Sequence, residues 1–279
     1  MKISNSNYFG SNERQSLIDL EIPENFNGEL IVFVHGFMGF KDWGAWNLLQ
    51  DYFTEKGYGF CKYNATHNGG TILNGIDFPD EQAFGENTYT KELNDLISVL
   101  DWLETKINVP YKVNLIGHSR GGGIVLLASN ENKRIQRTIT LAAICDMGSR
   151  FPIGEALEEW KNTGVRYVSN SRTKQNLPNY YSLYEDFKAN EERLNIQKAC
   201  ENLKIPVLVI HGDKDTSVPI SEGEKIAKWL KTELITIPET DHVFGATHPW
   251  EKEELPEKLV DVCNKICSFL ADNKNSERA

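Results

Sequence analysis

One hexapeptide, Gly-His-Ser-Arg-Gly-Gly at residues 117–122, constrains the fold of this chain more than any other segment. An apolar run precedes it at 113–116 and another follows at 124–128, which is typical of a strand, a tight turn and a helix. Ser119 lies at the apex of this turn, and the glycines around it avoid collisions with the crowded backbone. Because a serine hydroxyl is a weak nucleophile at neutral pH, a serine raised on a strained turn is expected to take part in chemistry.

The composition predicts a single globular domain over residues 1–279, long enough for a sizeable core. The formal net charge is −10 and the basic residues form no stripe, so nucleic acid is not expected as a partner. The sequence contains no signal-peptide pattern and no segment apolar enough to span a bilayer, which predicts a cytoplasmic protein. Its five cysteines lack Cys-x-x-Cys spacing, which favours reduced thiols over disulfides or a metal site.

Apolar runs alternate with amphipathic stretches along most of the chain, which indicates a mostly parallel sheet with helices on both faces. The alternation is interrupted at about 146–202 by aromatic and charged residues, where we predict a small helical cap insertion. We also predict a long loop at 64–87 and a frayed tail at about 272–279. The predicted strands are 29–34, 59–63, 113–116, 135–144, 205–210 and 233–237, and the predicted helices include 46–53, 90–106, 221–230 and 256–270.

Candidate partners of Ser119 follow two later strands. A nucleophilic serine needs a base within hydrogen-bond reach and an acid that orients the base. Asp213 and Asp215 come after the predicted strand 205–210, and His242 comes after the strand 233–237. The chain order is therefore serine, aspartate, histidine, which differs from the order in trypsin-like and subtilisin-like enzymes.

These residues resemble the motifs of the α/β-hydrolase superfamily, and the chain is similar to its small carboxylesterases, cinnamoyl esterases and dienelactone-hydrolase-like serine hydrolases. The resemblance spans nearly the whole chain. It rests on His-Gly-Phe at 35–37, on 117–122, and on His-Gly-x-x-Asp-x-x-Val-Pro at 211–219 with His242 downstream. It implies the α/β-hydrolase fold and a Ser-His-Asp triad, but it leaves the substrate open because many chemistries share these motifs.

The resemblance favours Asp215 over Asp213 as the acid and His242 as the base. Asp213 directly follows a glycine and is expected to bond nearby backbone amides of the turn. His248 is interpreted as structural or as part of the pocket rim. The other competing histidines are His35, His67, His118 and His211, and of these His35 and His118 are expected to pack or hydrogen-bond locally beside glycine turns.

An oxyanion hole requires two backbone N–H groups aimed at the developing negative charge. One is expected from Arg120, which follows the nucleophile at a helix N-terminus, and the resemblance implies Phe37 as the other. The Arg120 side chain has three possible roles: bonding backbone carbonyls, pairing with Asp146 or another acid near the cap, or receiving an anionic substrate group. We favour the structural pairing.

Together these residues predict hydrolysis of a small carboxylic ester, with a short-chain or aromatic acyl group, through an acyl-enzyme and without metal or cofactor. Thioesterase, lactonase and small peptidase activities stay open, as do a non-catalytic binding module and a homodimer. The absence of a propeller domain from the residues given makes a peptidase less favoured. Trp43, Trp46, Phe78 and Phe84 are expected either to line an aromatic pocket or to pack under the cap.

Overall fold

The computed structural model describes residues 1–276 and contains one eight-stranded sheet and one two-stranded sheet. The strands are β1 Lys2–Phe9, β2 Gln15–Glu21, β3 Glu29–Val34, β4 Gly59–Tyr63, β5 Lys112–His118, β6 Ile135–Leu141, β7 Val165–Ser169, β8 Asn176–Tyr180, β9 Val207–Gly212 and β10 Leu234–Ile237. The helices are α1 Trp46–Glu55, α2 Glu81–Gly85, α3 Tyr89–Lys106, α4 Arg120–Glu131, α5 Glu155–Thr163, α6 Ser182–Ala189, α7 Ile196–Asn202, α8 Ile220–Leu230 and α9 Glu257–Ser276.

The large sheet has the strand order β1-β2-β4-β3-β5-β6-β9-β10. Strands β4, β3, β5, β6, β9 and β10 pair in parallel, whereas β1 pairs with β2, and β2 with β4, in antiparallel fashion. The carboxyl ends of the parallel strands therefore meet at one edge of the sheet. Ser119 and the segments that begin after β3, β9 and β10 all lie at that edge, which explains how distant motifs come together.

Two hydrophobic cores lie on opposite faces of this sheet, and β3 contributes to both. Leu30 and Val32 pack in the core that contains α3, α4 and α8, whereas Ile31 and Phe33 pack in the core that contains α1 and α9. Side chains of a strand point alternately to its two faces, so a strand buried on both sides is apolar throughout. The predicted architecture, a mostly parallel sheet covered on both faces, is confirmed.

The chain departs from the predicted elements at both ends and in the loop 64–87. Strands β1 and β2 form an antiparallel extension of the sheet that was not predicted, because the polar sequence of β1 lacks a clear alternation of apolar and polar residues. The loop contains the short helix α2. Helix α9 continues to Ser276, beyond the predicted end at 270, so residues 272–276 of the expected frayed tail are helical and 277–279 lie outside the described residues.

The insertion between β6 and β9 is not purely helical as predicted. It contains α5 and α6 together with the hairpin β7–β8, whose strands pair in antiparallel fashion. Pro178 in β8 argues against a strand in the sequence, but a two-stranded sheet has only edge strands, which tolerate proline. Helix α7 packs against α4 and α8 and so belongs to the main helical layer. The cap is therefore the hairpin with α5 and α6.

His67, in the buried part of the loop 64–87, should make stability depend on pH. Burial lowers the pKa of His67 from 6.5 to about 4. The unfolded chain binds this proton more readily than the folded chain. The free energy of unfolding should therefore decrease as the pH is lowered from about 6.5, by at most about 1.4 kcal/mol per pH unit. His67→Gln should flatten this fall, measured by urea unfolding between about pH 7 and 5. An unchanged slope would contradict the prediction.

Candidate active site

The turn between β5 and α4 holds Ser119 in a strained conformation. Its φ is 58° and its ψ is −119°, which few residues other than glycine adopt. The neighbouring glycines permit the tight turn, since a Cβ atom on Gly117 would lie 2.3 Å from the Gly121 carbonyl oxygen and one on Gly121 would lie 2.3 Å from the Val34 oxygen. The Ser119 amide donates to the Leu141 oxygen at 2.9 Å, which ties the turn to the end of β6. The hydroxyl group is thereby held at the edge of the sheet.

Asp215 and His242 are joined by a short hydrogen bond. The distance from His242 Nδ1 to Asp215 Oδ2 is 2.7 Å, and His211 Nε2 lies 3.2 Å from the same oxygen. The other oxygen, Oδ1, accepts from the amides of Ser217 and Val218, each at 2.8 Å. Burial alone would raise the pKa of Asp215, but these hydrogen bonds outweigh it and hold the pKa well below its usual range. The carboxylate is therefore a charged acceptor for the His242 imidazole.

Asp213 does not make the turn contacts expected of it. Its side chain is exposed and accepts no hydrogen bond among the described residues. The backbone amides of the turn are bonded by Asp215 instead, at Ser217 and Val218. The prediction for Asp213 was therefore wrong, because a residue two positions later in the turn can present both carboxylate oxygens to the amides that follow it.

Ser119 and His242 line the same cavity, which has a volume of about 410 Å³. No hydrogen bond joins the Ser119 hydroxyl to the imidazole within the part of the chain that the structure describes. Hydrogen bonds between a nucleophile and its base are often long without substrate and shorten when it binds. Because both residues line one cavity, a substrate bound there can contact the serine and the imidazole together.

The two amides expected to form an oxyanion hole flank Ser119. A Cβ atom on Gly36 would lie 2.9 Å from the Ser119 Cβ atom, so the loop that carries Phe37 runs directly against the serine. Arg120 is the first residue of α4, where the helix dipole favours an anion. Neither the Phe37 nor the Arg120 amide has an acceptor among the described residues. Both N–H groups are available to a developing oxyanion.

The Arg120 side chain pairs with Glu92 and not with Asp146, the one acid that the prediction named. Its Nη1 atom donates to Glu92 Oε1 at 3.0 Å, and its guanidinium lies over the rings of Phe37, at 4.1 Å, and Tyr89, at 5.1 Å. Asp146 accepts instead from the amide of Gly148, two residues later. The structural pairing is confirmed, but with an acid from α3. The ion pair with Glu92 fixes the Arg120 guanidinium, which lies against the Phe37 ring.

His35 contacts its neighbour Gly36, as expected, whereas His118 bonds a loop 124 positions away instead of its own turn. The structure places His35 Nδ1 2.9 Å from the Gly36 oxygen, and His35 Nε2 accepts from the Ala65 amide at 3.1 Å. Burial lowers the pKa of His35, so the ring is neutral with its proton on Nδ1. His118 Nε2 lies 2.9 Å from the His242 carbonyl oxygen, and burial lowers the pKa of His118 to about 3. His118 therefore supports the loop that carries His242.

His248 contacts Trp43, which lines the cavity, and is not among the hydrogen-bond partners of the Asp215 carboxylate. Its Nδ1 atom accepts from the Gly44 amide at 2.8 Å, and its ring stacks on Trp43 with centroids 5.9 Å apart. Burial lowers the pKa of His248, which favours the neutral acceptor form. Of the two interpretations, these contacts agree with a structural residue, and His248 is not among the residues that line the cavity.

The aromatic residues divide between the two expectations. Trp43 and Trp46 line the cavity that contains Ser119. Phe78 and Phe84 are buried in a separate cluster with Leu177 of the cap hairpin, and the ring of Phe84 is 5.5 Å from that of Phe37. Two of the four residues therefore line the candidate site, and two pack beneath the cap.

Among residues 1–272, whose side chains the structure describes, no group of three or more histidine, cysteine or acidic side chains is placed to hold a metal ion. Within the same range, none of the helices combines the length and apolar character needed to span a membrane.

Comparison with known proteins places the chain in a family. Residues 46–261 match the prolyl oligopeptidase family, and a non-heme chloroperoxidase of Kitasatospora aureofaciens is 25% identical over 274 residues, covering 85% of this chain and 93% of that protein. Est1E from Butyrivibrio proteoclasticus with bound ferulic acid superposes with a TM-score of 0.74 at 20% identity, covering 96% and 98% of the two chains. A monoacylglycerol lipase of Paleococcus ferrophilus gives 0.66 at 17% identity, covering 91% and 98%. The chain has the α/β-hydrolase fold and belongs to the prolyl oligopeptidase family.

Proposed function

We propose that this protein is a serine hydrolase that cleaves carboxylic esters through an acyl-enzyme. The observation that carries the proposal is the strained turn of Ser119 in the same cavity as a His242 imidazole, whose Nδ1 is 2.7 Å from a buried carboxylate. In this proposal Ser119 is the nucleophile, His242 the general base and Asp215 the acid that orients it.

In the first step, Ser119 Oγ attacks the ester carbonyl carbon and His242 Nε2 takes the hydroxyl proton. Asp215 accepts from Nδ1, which leaves Nε2 free to act as the base and stabilises the imidazolium that forms. The carbonyl oxygen becomes negative and accepts hydrogen bonds from the backbone N–H groups of Phe37 and Arg120. The tetrahedral intermediate then collapses, and the proton on Nε2 passes to the departing alkoxide, leaving an acyl group on Ser119.

Water completes the reaction by the same route. His242 Nε2 takes a proton from a water molecule, whose oxygen attacks the acyl carbon, and the same amides stabilise the second oxyanion. Collapse returns the proton to Ser119 Oγ and releases the acid. Apart from the ester and this water, every group that the steps use belongs to the chain.

A short-chain or aromatic acyl group suits the cavity. Its volume is about 410 Å³, and the aromatic residues Phe37, Trp43 and Trp46 are among those that line it. Flat apolar walls of this kind favour planar groups over long flexible chains. The likeness to Est1E, whose structure contains ferulic acid, supports an aromatic acyl group in particular.

A peptidase activity is the second candidate, because the matching family is that of prolyl oligopeptidase. The same atoms can attack an amide, a thioester or a lactone, but an amine leaves less readily than an alkoxide or phenolate and depends more on protonation by His242. Turnover of a p-nitrophenyl ester and of the p-nitroanilide with the same acyl group separates the two. An enzyme that prefers the anilide would favour the peptidase.

Covalent labelling tests the proposed nucleophile directly. A p-nitrophenyl alkylphosphonate should release one p-nitrophenolate per chain, and mass spectrometry should locate the adduct on Ser119. Labelling should be lost in unfolded protein, because reactivity depends on the assembled base and oxyanion site. Turnover should follow with a panel of p-nitrophenyl esters, from acetate to long acyl chains, and with a cinnamoyl ester. An adduct on another residue, or none at all, would overturn the assignment.

A further inference from the structure

The cavity that contains Ser119 has two walls of different chemistry. The main domain supplies an apolar wall that includes Trp43 and Trp46. The cap supplies a polar wall, residues 169–172, from the end of β7 and the turn that follows it. A substrate that fills the cavity must therefore offer an apolar face to one side and polar groups to the other.

Arg172 brings a permanent charge to this cavity. Among the described residues that line it, Arg172 is the one lysine, arginine, aspartate or glutamate. The chain as a whole carries a formal net charge of −10. The lining of this cavity differs from that average, because it contains an arginine and no carboxylate side chain among the described residues. An arginine beside a largely apolar wall favours an anionic group over a neutral one of the same shape.

The turn that carries Arg172 is held in place by several hydrogen bonds. Asn170 is buried, and its Oδ1 atom accepts from the amides of Arg172, at 3.0 Å, and Thr173, at 3.2 Å. Gln175 Nε2 donates to the Phe78 oxygen at 3.1 Å and anchors the end of the turn on the loop 64–87. The guanidinium is thus presented from a structured turn, so less conformational entropy is lost when it binds a ligand.

Arg172 retains hydrogen-bonding capacity beyond its ion pair. Its Nη2 atom pairs with Asp77, whose side chain is 40% exposed, compared with 29% for Arg172. The Nε and Nη1 atoms have no partner within the described residues, although a guanidinium has five N–H donors. The pair keeps a net positive effect on nearby His248, whose pKa is lowered by burial and then by Arg172, and raised less strongly by Asp77. Asp77 therefore neutralises the charge incompletely.

We propose that Arg172 binds a carboxylate carried by the ester, so that the preferred substrates are anionic close to the bond that is cleaved. This inference rests on the proposed ester hydrolysis. A carboxylate matches the planar fork of a guanidinium and can share it with Asp77 or replace Asp77. The carboxylate belongs either to the acyl group or to the alcohol, and the substrates below distinguish the two.

The test compares matched anionic and neutral chromogenic esters. Mono-p-nitrophenyl adipate and p-nitrophenyl hexanoate differ in an acyl carboxylate, and carboxy-substituted nitrophenyl butyrate and p-nitrophenyl butyrate differ in a leaving-group carboxylate. For one of the two pairs, Arg172→Gln should lower the anionic-to-neutral ratio of kcat/KM by about 10-fold or more, mainly through KM. Arg172→Lys should retain part of the preference, and added salt should weaken it in the unaltered protein.

Lys174→Gln is the matched control, because Lys174 is an exposed cation on the same turn that does not line the cavity. It removes the same charge and should leave both ratios unchanged. Equal losses in the Lys174 and Arg172 variants, or no loss at Arg172 in either pair, would overturn the inference while ester hydrolysis stands. If the unaltered protein cleaves none of the four esters, the proposed function itself is overturned.

Discussion

Ser119→Ala should lower kcat/KM for ester hydrolysis by about four orders of magnitude or more. The substitution removes the attacking oxygen and leaves the amides of Phe37 and Arg120 in place, so the remaining rate is that of water attack assisted by the oxyanion site. The measurement is p-nitrophenyl acetate and butyrate hydrolysis over a long time course, corrected for the uncatalysed rate. Equal rates for the variant and the unaltered protein would show that the activity does not depend on Ser119.

Two further variants separate this chemical effect from a folding defect. Ser119→Gly should be equally inactive, but more stable than Ser119→Ala by about 1 kcal/mol, because glycine adopts the backbone φ of 58° without strain. Ser221→Ala changes an exposed serine of α8 that lies outside the cavity and should retain full activity. Comparing the urea unfolding of Ser119→Gly with that of Ser119→Ala would measure the strain at the nucleophile turn independently of catalysis.

Local sequence signals predicted the part of the site that depends on strand ends. The turn at Ser119 needs glycines at fixed neighbouring positions, and the Asp215 turn and His242 each follow a buried strand, so parallel strand order alone brings them to one edge. The hydrogen bond between His242 and Asp215 agrees with that expectation. Their catalytic roles stay predictions.

Contacts between elements far apart in sequence could not be predicted in this way. Glu92 gives no local sign of pairing with Arg120, since the contact exists only because α3 packs beside α4. The bond between His118 and the His242 backbone spans 124 positions and depends on the path of the loop after β10. The cap hairpin was missed because its second strand contains Pro178. These features follow from tertiary packing, which residue patterns do not encode.

Asp215→Asn should lower kcat for the same esters by about 10⁴-fold while the protein stays folded. The carboxylate accepts two backbone amides on Oδ1 and His242 Nδ1 on Oδ2, and an asparagine has only one acceptor oxygen. If that oxygen stays with the amides, the asparagine NH₂ faces Nδ1. The imidazole then carries its proton on Nε2, where it cannot accept the proton of Ser119.

Asp213→Asn provides the matched control for this result. It makes the same change of charge two residues earlier, at an exposed side chain that does not line the cavity, so kcat should stay within about twofold of the unaltered protein, as for most exposed sites. A general loss of negative charge near His242 would affect both variants, whereas loss of the tautomer control affects only Asp215→Asn. If the two variants lose activity equally, the acid is not Asp215. If Asp213→Asn alone is inactive, the acid is Asp213, two residues closer to β9.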